Sequence, residues 1–340
     1  MNKATPTATL AVNNSPVTYD GTAQAVSVGI TVSSVPGSVA NILTGGAASQ
    51  TDAGTYAVTA DFVPTDAANY NSLLGQAAGN FVIEKATPTA MLAVNNSPVA
   101  YDGTAKAATV GITASSVPGA VANILTGGAA SQTDVGTYAV TADFVPTDSA
   151  NYNSLIGLSA GNFVIEKADS ATALVSSENP SLEGSNVTFT ATVTPVAPAT
   201  TTPTGSIQFY TNGVARGGPR SLGGGVASIT LATLPIGYTK VDATYVSDGN
   251  FLGSLDSLEQ LVHAIPQTPI TAGIKNNGNG TVTVSFTGTP YVEYVVQASS
   301  NVAAPVWENV STNMAGADGQ WSFTESKDGY SSRFYRSAIP

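Results

Sequence analysis

The chain has 340 residues, of which 42% are apolar and 10% are charged, and its 22 acidic side chains outnumber the 11 basic ones. This length is enough for about two to four domains with cores of their own. The acidic balance excludes binding of nucleic acid or of an anionic membrane surface through net charge, and the absence of cysteine excludes disulfides and thiolate metal sites.

A long internal repeat organises the first half of the chain. Residues 4–85 and 86–167 align without a gap and are identical at 70 of 82 positions. Each copy closes with Ile-Glu-Lys, and Lys3 occupies the equivalent place ahead of the first copy. Self-similarity at such a period indicates domains in tandem. Because Lys3 stands where each repeat closes, we expect the chain to begin at a repeat boundary, which explains why its first residues lack the charged start and apolar middle of a signal peptide. We expect no membrane insertion, because no apolar run approaches the ~20 residues that cross a bilayer.

The stretch GTYAVTADFV, present in both repeats, alternates with the period of a half-buried strand. In the first copy Tyr56, Val58, Ala60 and Phe62 share the predicted inner face, whereas Asp61 lies on the outer face. The same alternation recurs in VTFTATVT, residues 187–194, and in TVTVSF, residues 281–286. Short alternating strands separated by Gly, Asn and Asp turn residues predict antiparallel β-sandwiches.

The heptapeptide VTYDGTA, residues 17–23, returns as VAYDGTA at residues 99–105. Asp20 and Gly21 form a turn pair, in which glycine supplies a positive φ and the aspartate bonds its own backbone. We expect Tyr19 to pin the preceding strand to the core. This corner explains the recurrence, and the alternative is a ligand-binding Tyr-Asp pair.

The YDGTA corner, followed by DAGTYAVTADF, NYNSLLG and the closing FVIEKA, resembles the MBG or YDG repeat of bacterial adhesins. The resemblance covers residues 4–167 in two copies and implies modules of large secreted surface proteins without an active site. The alternation favours a sandwich, although the stretch DAANYNSLLGQAA is also compatible with a helical turn in a β-grasp-like variant.

The next stretch of the chain resembles a bacterial Ig-like domain. The resemblance rests on four segments, which are SSENPSLEGSNVTFTATVTP, PTGSIQFYTNG, GGGVASITLATLPIGYTKVDATY and SDGNF. The pattern departs from the resemblance at ARGGPR, residues 215–220, where we expect a longer hairpin loop.

Residues 268–340 resemble a small C-terminal β-module of secreted bacterial proteins, and we expect its tryptophans, Trp307 and Trp321, to be core residues.

These observations predict an all-β chain of tandem Ig-like antiparallel β-sandwich domains in an elongated array. The predicted domains are residues 1–85, 86–167, 168–264 and 268–340. The joints at residues 84–86 and 166–168 have almost no linker, so we expect the main hinge in HAIPQTP, residues 263–269.

The sequence offers no catalytic, cofactor-binding or metal-binding motif, and we predict no enzyme activity. The one histidine, His263, falls in a Pro-bearing linker where no Ser-His-Asp or metal triad can be assembled. Gly223–Gly225 form a loop without the Lys-Ser or Lys-Thr of a phosphate cradle. Most acidic side chains fall in turns or on outer strand faces, where we expect ordinary pKa values.

Calcium at the domain junctions is the one cofactor hypothesis. Glu84, Asp102, Glu166 and Asp169 lie near the expected joints, and carboxylates are the ligands that calcium prefers. The alternative is that these charges only solvate the joints.

The sequence favours a non-enzymatic extracellular segment of a bacterial surface adhesin or stalk, which provides reach. The alternatives are a self-assembling subunit of an extracellular filament or surface layer, and accessory modules of a large secreted enzyme. The expected partners are other copies or domains of the same surface protein and cell-surface or matrix glycans or proteins. We expect specific contacts in residues 168–340, where all the arginines and tryptophans lie.

Overall fold

The computed structural model describes residues 2–340, and within this range the secondary structure consists of strands without a helix. The described chain forms two compact units. The first runs through Val99 and includes Thr104–Glu166, and the second combines Ala100–Gly103 with Lys167–Pro340. The predicted all-β fold class is confirmed.

The first repeat contains a four-stranded sheet, a two-stranded sheet and a short strand pair. Its strands are β1 (Ala8–Val12), β2 (Val17–Thr18), β3 (Gln24–Ala25), β4 (Val28–Ser33), β5 (Gly37–Thr44), β6 (Ser49–Gln50), β7 (Gly54–Pro64) and β8 (Leu73–Glu84). The larger sheet has the order β2-β8-β7-β5, and the smaller ones are β1-β4 and β3-β6. β2 runs parallel to β8, whereas the other pairs are antiparallel. Leu10, Phe81 and Ile83 are central to the core.

The second repeat has the same two main sheets. Its strands are β9 (Ala90–Val94), β10 (Val99–Ala100), β11 (Val110–Ser115), β12 (Gly119–Thr126), β13 (Gly136–Pro146) and β14 (Leu155–Glu166). They form the sheets β10-β14-β13-β12 and β11-β9. Where the first repeat has the β3-β6 pair, the second has a single bridge between Lys106 and Gln132.

Strand β7 follows the predicted alternation on its inner face. Val58, Ala60 and Phe62 are 1%, 0% and 0% exposed, and the half-buried Tyr56 packs against the same core. The inner-face prediction for this strand is confirmed.

The outer-face prediction for Asp61 is wrong, because this residue is only 9% exposed. The β5-β7 pairing shifts register between Ala40 and Leu43, and the β7-β8 pairing shifts between Ala60 and Phe62. Within this irregular region Asp61 accepts hydrogen bonds of 2.6 Å from Asn41 Nδ2 and 2.7 Å from the amide of Gly75.

The hydrogen bond from Asn41, followed by that from Gly75, lowers the pKa of Asp61 below its ordinary value, against the opposing effect of burial. In the second repeat, Asp143 has the same two partners in Asn123 and Gly157, and its pKa is lowered for the same reasons. The expectation of ordinary pKa values is therefore wrong at these two positions, and also at Asp20 and Asp66, whose pKa values are lowered chiefly by side-chain hydrogen bonds from Thr22 and Asn69.

The stretch DAANYNSLLGQAA contains one hydrogen-bonded turn. The amides of Asn69 and Tyr70 donate to the carbonyl of Asp66 over 3.3 Å and 3.1 Å. The chain then enters strand β8 at Leu73. The helical turn allowed for in this stretch is thus present as a single hydrogen-bonded turn, and no helix forms between β7 and β8.

The Ig-like region packs a six-stranded sheet against a three-stranded one. Its strands are β15 (Ser170–Ser176), β16 (Ser181–Leu182), β17 (Val187–Pro195), β18 (Gly205–Thr211), β19 (Val214–Ala215), β20 (Arg220–Ser221), β21 (Val226–Leu231), β22 (Gly237–Ser247) and β23 (Leu255–His263). The larger sheet has the order β16-β23-β22-β18-β19, with β20 also on β18, and the smaller is β15-β17-β21. Along β17, Val187, Phe189, Ala191 and Val193 are buried as predicted.

The ARGGPR stretch is not a longer hairpin loop, and that expectation is wrong. The hairpin turn consists of Asn212 and Gly213, which have φ angles of 48° and 78°. β19 and β20 both return along β18, so the intervening residues 216–219 interrupt a single return strand. The Nε of Arg216 donates to Thr211 Oγ1 within this interruption.

The C-terminal region consists of two three-stranded sheets. Its strands are β24 (Ile270–Asn276), β25 (Thr281–Thr287), β26 (Glu293–Ser299), β27 (Glu308–Met314), β28 (Gln320–Ser326) and β29 (Phe334–Ala338). The sheets have the orders β24-β25-β28 and β27-β26-β29. Trp321 is 8% exposed and stacks on Tyr294 and Phe286 at centroid distances of 4.4 Å and 5.5 Å. The core prediction is confirmed for Trp321 and wrong for Trp307, which is half-exposed ahead of β27.

The predicted linker is shorter than the sequence suggests. His263 is the last residue of β23, and its carbonyl accepts a hydrogen bond from the amide of Glu183. The amide of Gln267 donates to Thr289 Oγ1 over 2.9 Å, and its carbonyl accepts a hydrogen bond from Tyr294 Oη. The stretch between these two anchors is residues 264–266.

Candidate functional site

The Tyr-Asp-Gly corner forms as predicted. Oδ1 of Asp20 accepts hydrogen bonds of 2.8 Å from the amide and 2.7 Å from Oγ1 of Thr22, and Gly21 has a φ of 80°. The side-chain and then the backbone hydrogen bond from Thr22 lower the pKa of Asp20. The amide of Tyr19 donates to the carbonyl of Glu84 over 2.8 Å, which fixes the corner at the end of the repeat.

The ring of Tyr19 has a second contact that the sequence did not reveal. It packs partly against its own core, as predicted, and also meets the ring of Tyr152 in the next repeat. The ring centroids are 5.3 Å apart with an interplanar angle of 84°, the edge-to-face geometry that aromatic pairs favour. Burial, followed by the proximity of Tyr152 and Asp148, raises the pKa of Tyr19.

Asn151 forms the polar part of the same joint. Its Oδ1 accepts a 2.7 Å hydrogen bond from the amide of Ala53, and its Nδ2 donates to Asp52 Oδ1 over 3.2 Å. A hydrogen bond of 2.6 Å runs from Lys85 Nζ to the carbonyl of Ser149. The side chain of Asn151 is 6% exposed, so the first repeat covers it. We call Tyr19, Asp52, Ala53 and Lys85 the tail surface, and Ser149, Asn151 and Tyr152 the receiving surface.

The receiving surface lies beside the point where the chain enters the second repeat. The amide of Ala86 donates to the carbonyl of Asn151, and the amide of Asn153 donates to the carbonyl of Ala86, each over 2.9 Å. The residue after Lys85 is thereby fixed against the receiving surface. This explains why the joint needs almost no linker.

An equivalent pairing occurs inside the second compact unit. Tyr101 is 6% exposed and meets Phe251 edge-on, at a centroid distance of 5.6 Å and an angle of 81°. Its hydroxyl lies 3.1 Å from Thr201 Oγ1. Phe251 also forms a parallel bridge with Ala168, as Tyr152 does with Ala86 in the second repeat. In both units, the corner tyrosine thus packs against the aromatic residue that bridges to the start of a domain.

A signal for the receiving aromatic was present in the sequence. Asn69-Tyr70 and Asn151-Tyr152 follow an aspartate by three residues, and Asn250-Phe251 follow Asp248 after one glycine. An Asp-x-x-Asn-aromatic element therefore occurs in both MBG-like repeats, and a one-residue-shorter Asp-x-Asn-aromatic element occurs in the third domain. In all three the aromatic residue bridges to the residue where its domain begins.

The calcium candidates do not converge on a preformed site. Glu84, Glu166 and Asp169 are exposed, and Asp102 is half-buried. Within residues 2–340, no three Asp, Glu or His side chains come together in a set that could hold a metal ion. The calcium hypothesis therefore stays a prediction without a preformed ligand set.

The half-exposed Trp307 belongs to a surface in the C-terminal region. The guanidinium of Arg336 lies over its ring, 4.3 Å from the centroid, a cation–π arrangement. Nε of Arg336 donates to Gln297 Oε1 over 2.8 Å, and Gln297 Nε2 donates to Asn309 Oδ1 over 2.7 Å. We call Gln297, Trp307, Asn309 and Arg336 the tryptophan surface.

Arg333 lies in a different environment on the same region. Its Nε donates to Glu325 Oε1 over 3.1 Å, and its guanidinium lies 4.0 Å from the centroid of the Tyr330 ring. Tyr335 Oη also donates to Glu325, and burial, followed by this carboxylate, raises the pKa of Tyr335. Tyr330, Arg333 and Tyr335 border a recess of about 210 Å³. Glu325 pairs with Arg333, whereas the other cation that lines the recess, Lys327, donates to Asn276 Oδ1.

Comparison with known families assigns most of these domains. The model of the MBG domain matches residues 8–87 and again residues 90–169. The model of the group 3 bacterial Ig-like domain matches residues 174–263. The chain carries two MBG domains followed by a bacterial Ig-like domain. Both domain types typify extracellular or surface-anchored bacterial proteins, and such modules are generally not catalytic.

The comparison with curated proteins gives no match. Among solved structures, the chain is similar to the fibronectin(III)-like modules of CbhA from Clostridium thermocellum, with 15% identity, 51% of this chain and 95% of that chain covered, and a TM-score of 0.25. It is also similar to domains of titin, with 15% identity, 74% and 98% coverage and a TM-score of 0.33. Immunoglobulin domains 1–4 of Sidekick-1 match with 12% identity, 97% and 98% coverage and a TM-score of 0.23. TM-scores this low carry no argument about function.

A search of residues 2–340 for a helix long and apolar enough to span a membrane finds none. The two functional candidates are the joint between the MBG domains and the tryptophan surface. Neither combines a nucleophile, a base and an anion-stabilising group as acyl-transfer chemistry requires.

Proposed function

We propose that this chain is a non-enzymatic extracellular segment of a bacterial surface adhesin or stalk. In this role the two MBG domains hold later domains at a set distance from the cell, and the later domains make the specific contacts. The family assignment supports the extracellular setting, because MBG and bacterial Ig-like domains fit repeat segments of surface proteins.

The observation that carries the spacer role is the burial of Asn151 by the preceding MBG domain. A flexible linker leaves the distance between two domains undefined, because its ends sample many separations. Here an aromatic contact, two amide hydrogen bonds and a lysine contact all fix the same joint. Such a joint transmits position from one domain to the next.

The tryptophan surface is the best-supported place for attachment. Tryptophan and arginine dominate the energetically important positions of protein interfaces, and amide groups such as those of Gln297 and Asn309 supply both donors and acceptors. The MBG domains present chiefly small residues, for example Ala, Gly, Ser and Thr. We therefore assign the attachment role, toward glycans or matrix proteins, to the C-terminal region. We assign the spacer role to the MBG domains.

The experiment is an attachment assay with the intact chain. Beads coated with the full chain are presented to glycan arrays, to immobilised matrix proteins and to cells, beside beads that carry Trp307→Ala or Arg336→Ala. The matched control is Tyr238→Ala, which removes another exposed aromatic, on the Ig-like domain. Attachment that the first two variants reduce at least about tenfold, as hot-spot losses of about 2 kcal/mol imply, supports the assignment. Equal attachment by all variants contradicts it.

The spacer role has a separate test. Because the chain has no cysteine, one dye can be placed on each MBG domain through two introduced cysteines. Single-molecule energy transfer is expected to show one narrow distance distribution for the native joint. A distribution as broad as that of a flexible linker would contradict the spacer role, whatever the attachment assay shows.

A further inference from the structure

The receiving surface of the second MBG domain has a counterpart in the first. Asn69 and Tyr70 correspond to Asn151 and Tyr152, and each tyrosine forms a parallel bridge to the residue where its own domain begins. Asn151 is 6% exposed under the tail surface of the preceding domain. Asn69 is exposed to solvent. The two copies therefore differ in occupancy although their residues agree.

The exposed copy retains the hydrogen-bonding groups that the occupied copy uses. Asn69 makes the same local bonds as Asn151, from its amide and its Nδ2 to the carboxylate of an aspartate three residues earlier. In Asn151 the Oδ1 also accepts the amide of Ala53. Among the described residues, no hydrogen bond reaches Oδ1 of Asn69. This acceptor is thus oriented by Asp66 and left open.

The surroundings of Tyr70 form a recess of about 410 Å³ on this face. Its lining residues are Val35, Pro36, Thr65, Asp66 and Tyr70. All five are identical in the second MBG domain, where the corresponding residues are Val117, Pro118, Thr147, Asp148 and Tyr152. The residues that line this recess are therefore present in both MBG domains, and in the second domain one of them, Tyr152, receives the ring of Tyr19.

We propose that this face of the first MBG domain is a docking surface for the tail surface of another MBG domain. The tyrosine of the incoming corner packs edge-on against Tyr70. The amide of its residue equivalent to Ala53 donates to Asn69 Oδ1. Its closing lysine, equivalent to Lys85, donates to the carbonyl of Ala67. The proposal concerns how arrays are built and does not depend on the attachment role.

The occupant is an MBG domain with a free tail, and not a second copy of this chain. In this chain Tyr19 already packs on Tyr152, and Tyr101 already packs on Phe251. Docking a second copy would break one of these contacts to form an equivalent one, with no net gain. An MBG domain joined directly ahead of Ala4 breaks no such contact when it docks. The short joint also holds its tail surface at a high effective concentration.

The test adds one MBG domain to the complete chain. A copy of residues 86–167 is fused directly ahead of Ala4, so that the new joint reads Ile-Glu-Lys-Ala as the natural one does. The first domain keeps its own sequence DAANYN at residues 66–71, whereas the copies of the second domain read DSANYN. Hydrogen exchange measured by mass spectrometry can therefore follow the peptide around Asn69 without ambiguity.

Docking is expected to slow exchange of this peptide roughly tenfold relative to the natural chain, the factor that about 1.4 kcal/mol gives. Tyr101→Ala in the added copy alone should abolish the slowing, and it leaves the first domain untouched. Asn69→Ala should abolish it in the extended chain, and the same substitution in the natural chain measures its local effect on the turn. Equal exchange with and without the added domain, or slowing that survives Tyr101→Ala in the added copy, overturns the proposal.

Discussion

The Oδ1 of Asn151 accepts a 2.7 Å hydrogen bond from the amide of Ala53, which lies 98 residues earlier in the chain. A buried amide without this partner would lose its hydration with no compensation. The same asparagine type at the same structural position, Asn69, makes only its local bonds. Comparing Asn151 with Asn69 therefore distinguishes the hydrogen bonds that stabilise the local turn from the one that stabilises the joint.

We expect Asn151→Ala to loosen the joint between the MBG domains by about 1–3 kcal/mol, since it leaves the amide of Ala53 without its buried acceptor. The measurement is the exchange rate of that amide by NMR. Asn69→Ala is the matched control, because it removes the same turn bonds without touching the joint. If both substitutions accelerate exchange at Ala53 equally, the joint bond has no energetic role.

The aromatic contact gives a second prediction. Tyr19→Phe should preserve the edge-to-face contact with Tyr152, whereas Tyr19→Ala removes it along with about 0.5–1.5 kcal/mol beyond the lost burial. Energy transfer between dyes on the two MBG domains should therefore report a broader distance distribution for the alanine variant alone. Equal broadening by both variants would mean that the hydroxyl, and not the ring, fixes the joint.

Much of the fold was predictable because its signals are local. The alternation along β7 places Val58 and Phe62 correctly, and the Asp20-Gly21 turn follows from the chemistry of its two residues. The burial of Asp61 was not predictable from alternation. It depends on register shifts in the pairing with both neighbouring strands, and these arise only when the sheet assembles.

The two tryptophans show the same limit. Trp321 lies opposite Phe286 in the β25-β28 pairing, which places it in a stack, whereas Trp307 precedes a strand and reaches the surface. Residue type alone predicted a core position for both. The meeting of Tyr19 with Tyr152 was also missed, since it requires the placement of one whole domain on the next.

The tryptophans provide a prediction about stability. Trp321→Ala should cost about 3–5 kcal/mol because it empties part of a packed core, whereas Trp307→Ala should cost about 0.5–1 kcal/mol through its cation–π contact with Arg336. Urea unfolding followed by circular dichroism measures both. Similar midpoints for the two variants would contradict the assignment of Trp307 to the surface.

The hydrogen-bonded aspartates predict acid sensitivity of the MBG domains. The folded-state pKa of Asp61 is lowered, chiefly by Asn41 and then by Gly75. A carboxyl with a lowered folded-state pKa stabilises the fold at pH values above its unfolded pKa of about 3.9. That contribution is lost as the pH falls through the folded-state pKa. Asp143 contributes in the same direction.

The thermal stability of the natural chain should therefore fall steeply below about pH 4. The double variant Asp61→Asn and Asp143→Asn should be less stable at neutral pH and should lose less on acidification. The slope is not expected to vanish, because Asp20 and Asp66 also have lowered pKa values. Circular dichroism melts across the acid range measure this difference, and parallel curves for the two proteins would show that the buried carboxylates do not control it.

The last prediction concerns the hinge. Lys85 is held at the MBG joint, since its carbonyl accepts a hydrogen bond from Asn153 Nδ2 and its Nζ donates to Ser149. Between the anchors at His263 and Gln267, the carbonyl of Ile265 accepts two long hydrogen bonds of 3.4 Å, from Thr289 Oγ1 and Gln267 Nε2, whereas Lys85 Nζ donates over 2.6 Å. A protease must draw several residues into an extended strand, so cleavage favours the segment that opens at the lowest cost. Brief treatment with proteinase K is expected to cut within residues 264–266 before it cuts at Lys85.

Thr289→Val tests the physical basis of this hinge. The substitution removes the hydroxyl that accepts the amide of Gln267, so it should lengthen the open segment and accelerate cleavage there about fivefold or more, as the loss of about 1 kcal/mol implies. Thr287→Val, at the exposed last residue of β25 and two residues before Thr289, is the control and should leave the rate unchanged. Mass spectrometry of the early fragments gives both the site and the rate. First cleavage at Lys85 would place the hinge at the MBG joint, and an unchanged rate in Thr289→Val would show that Gln267 does not limit the opening of the segment.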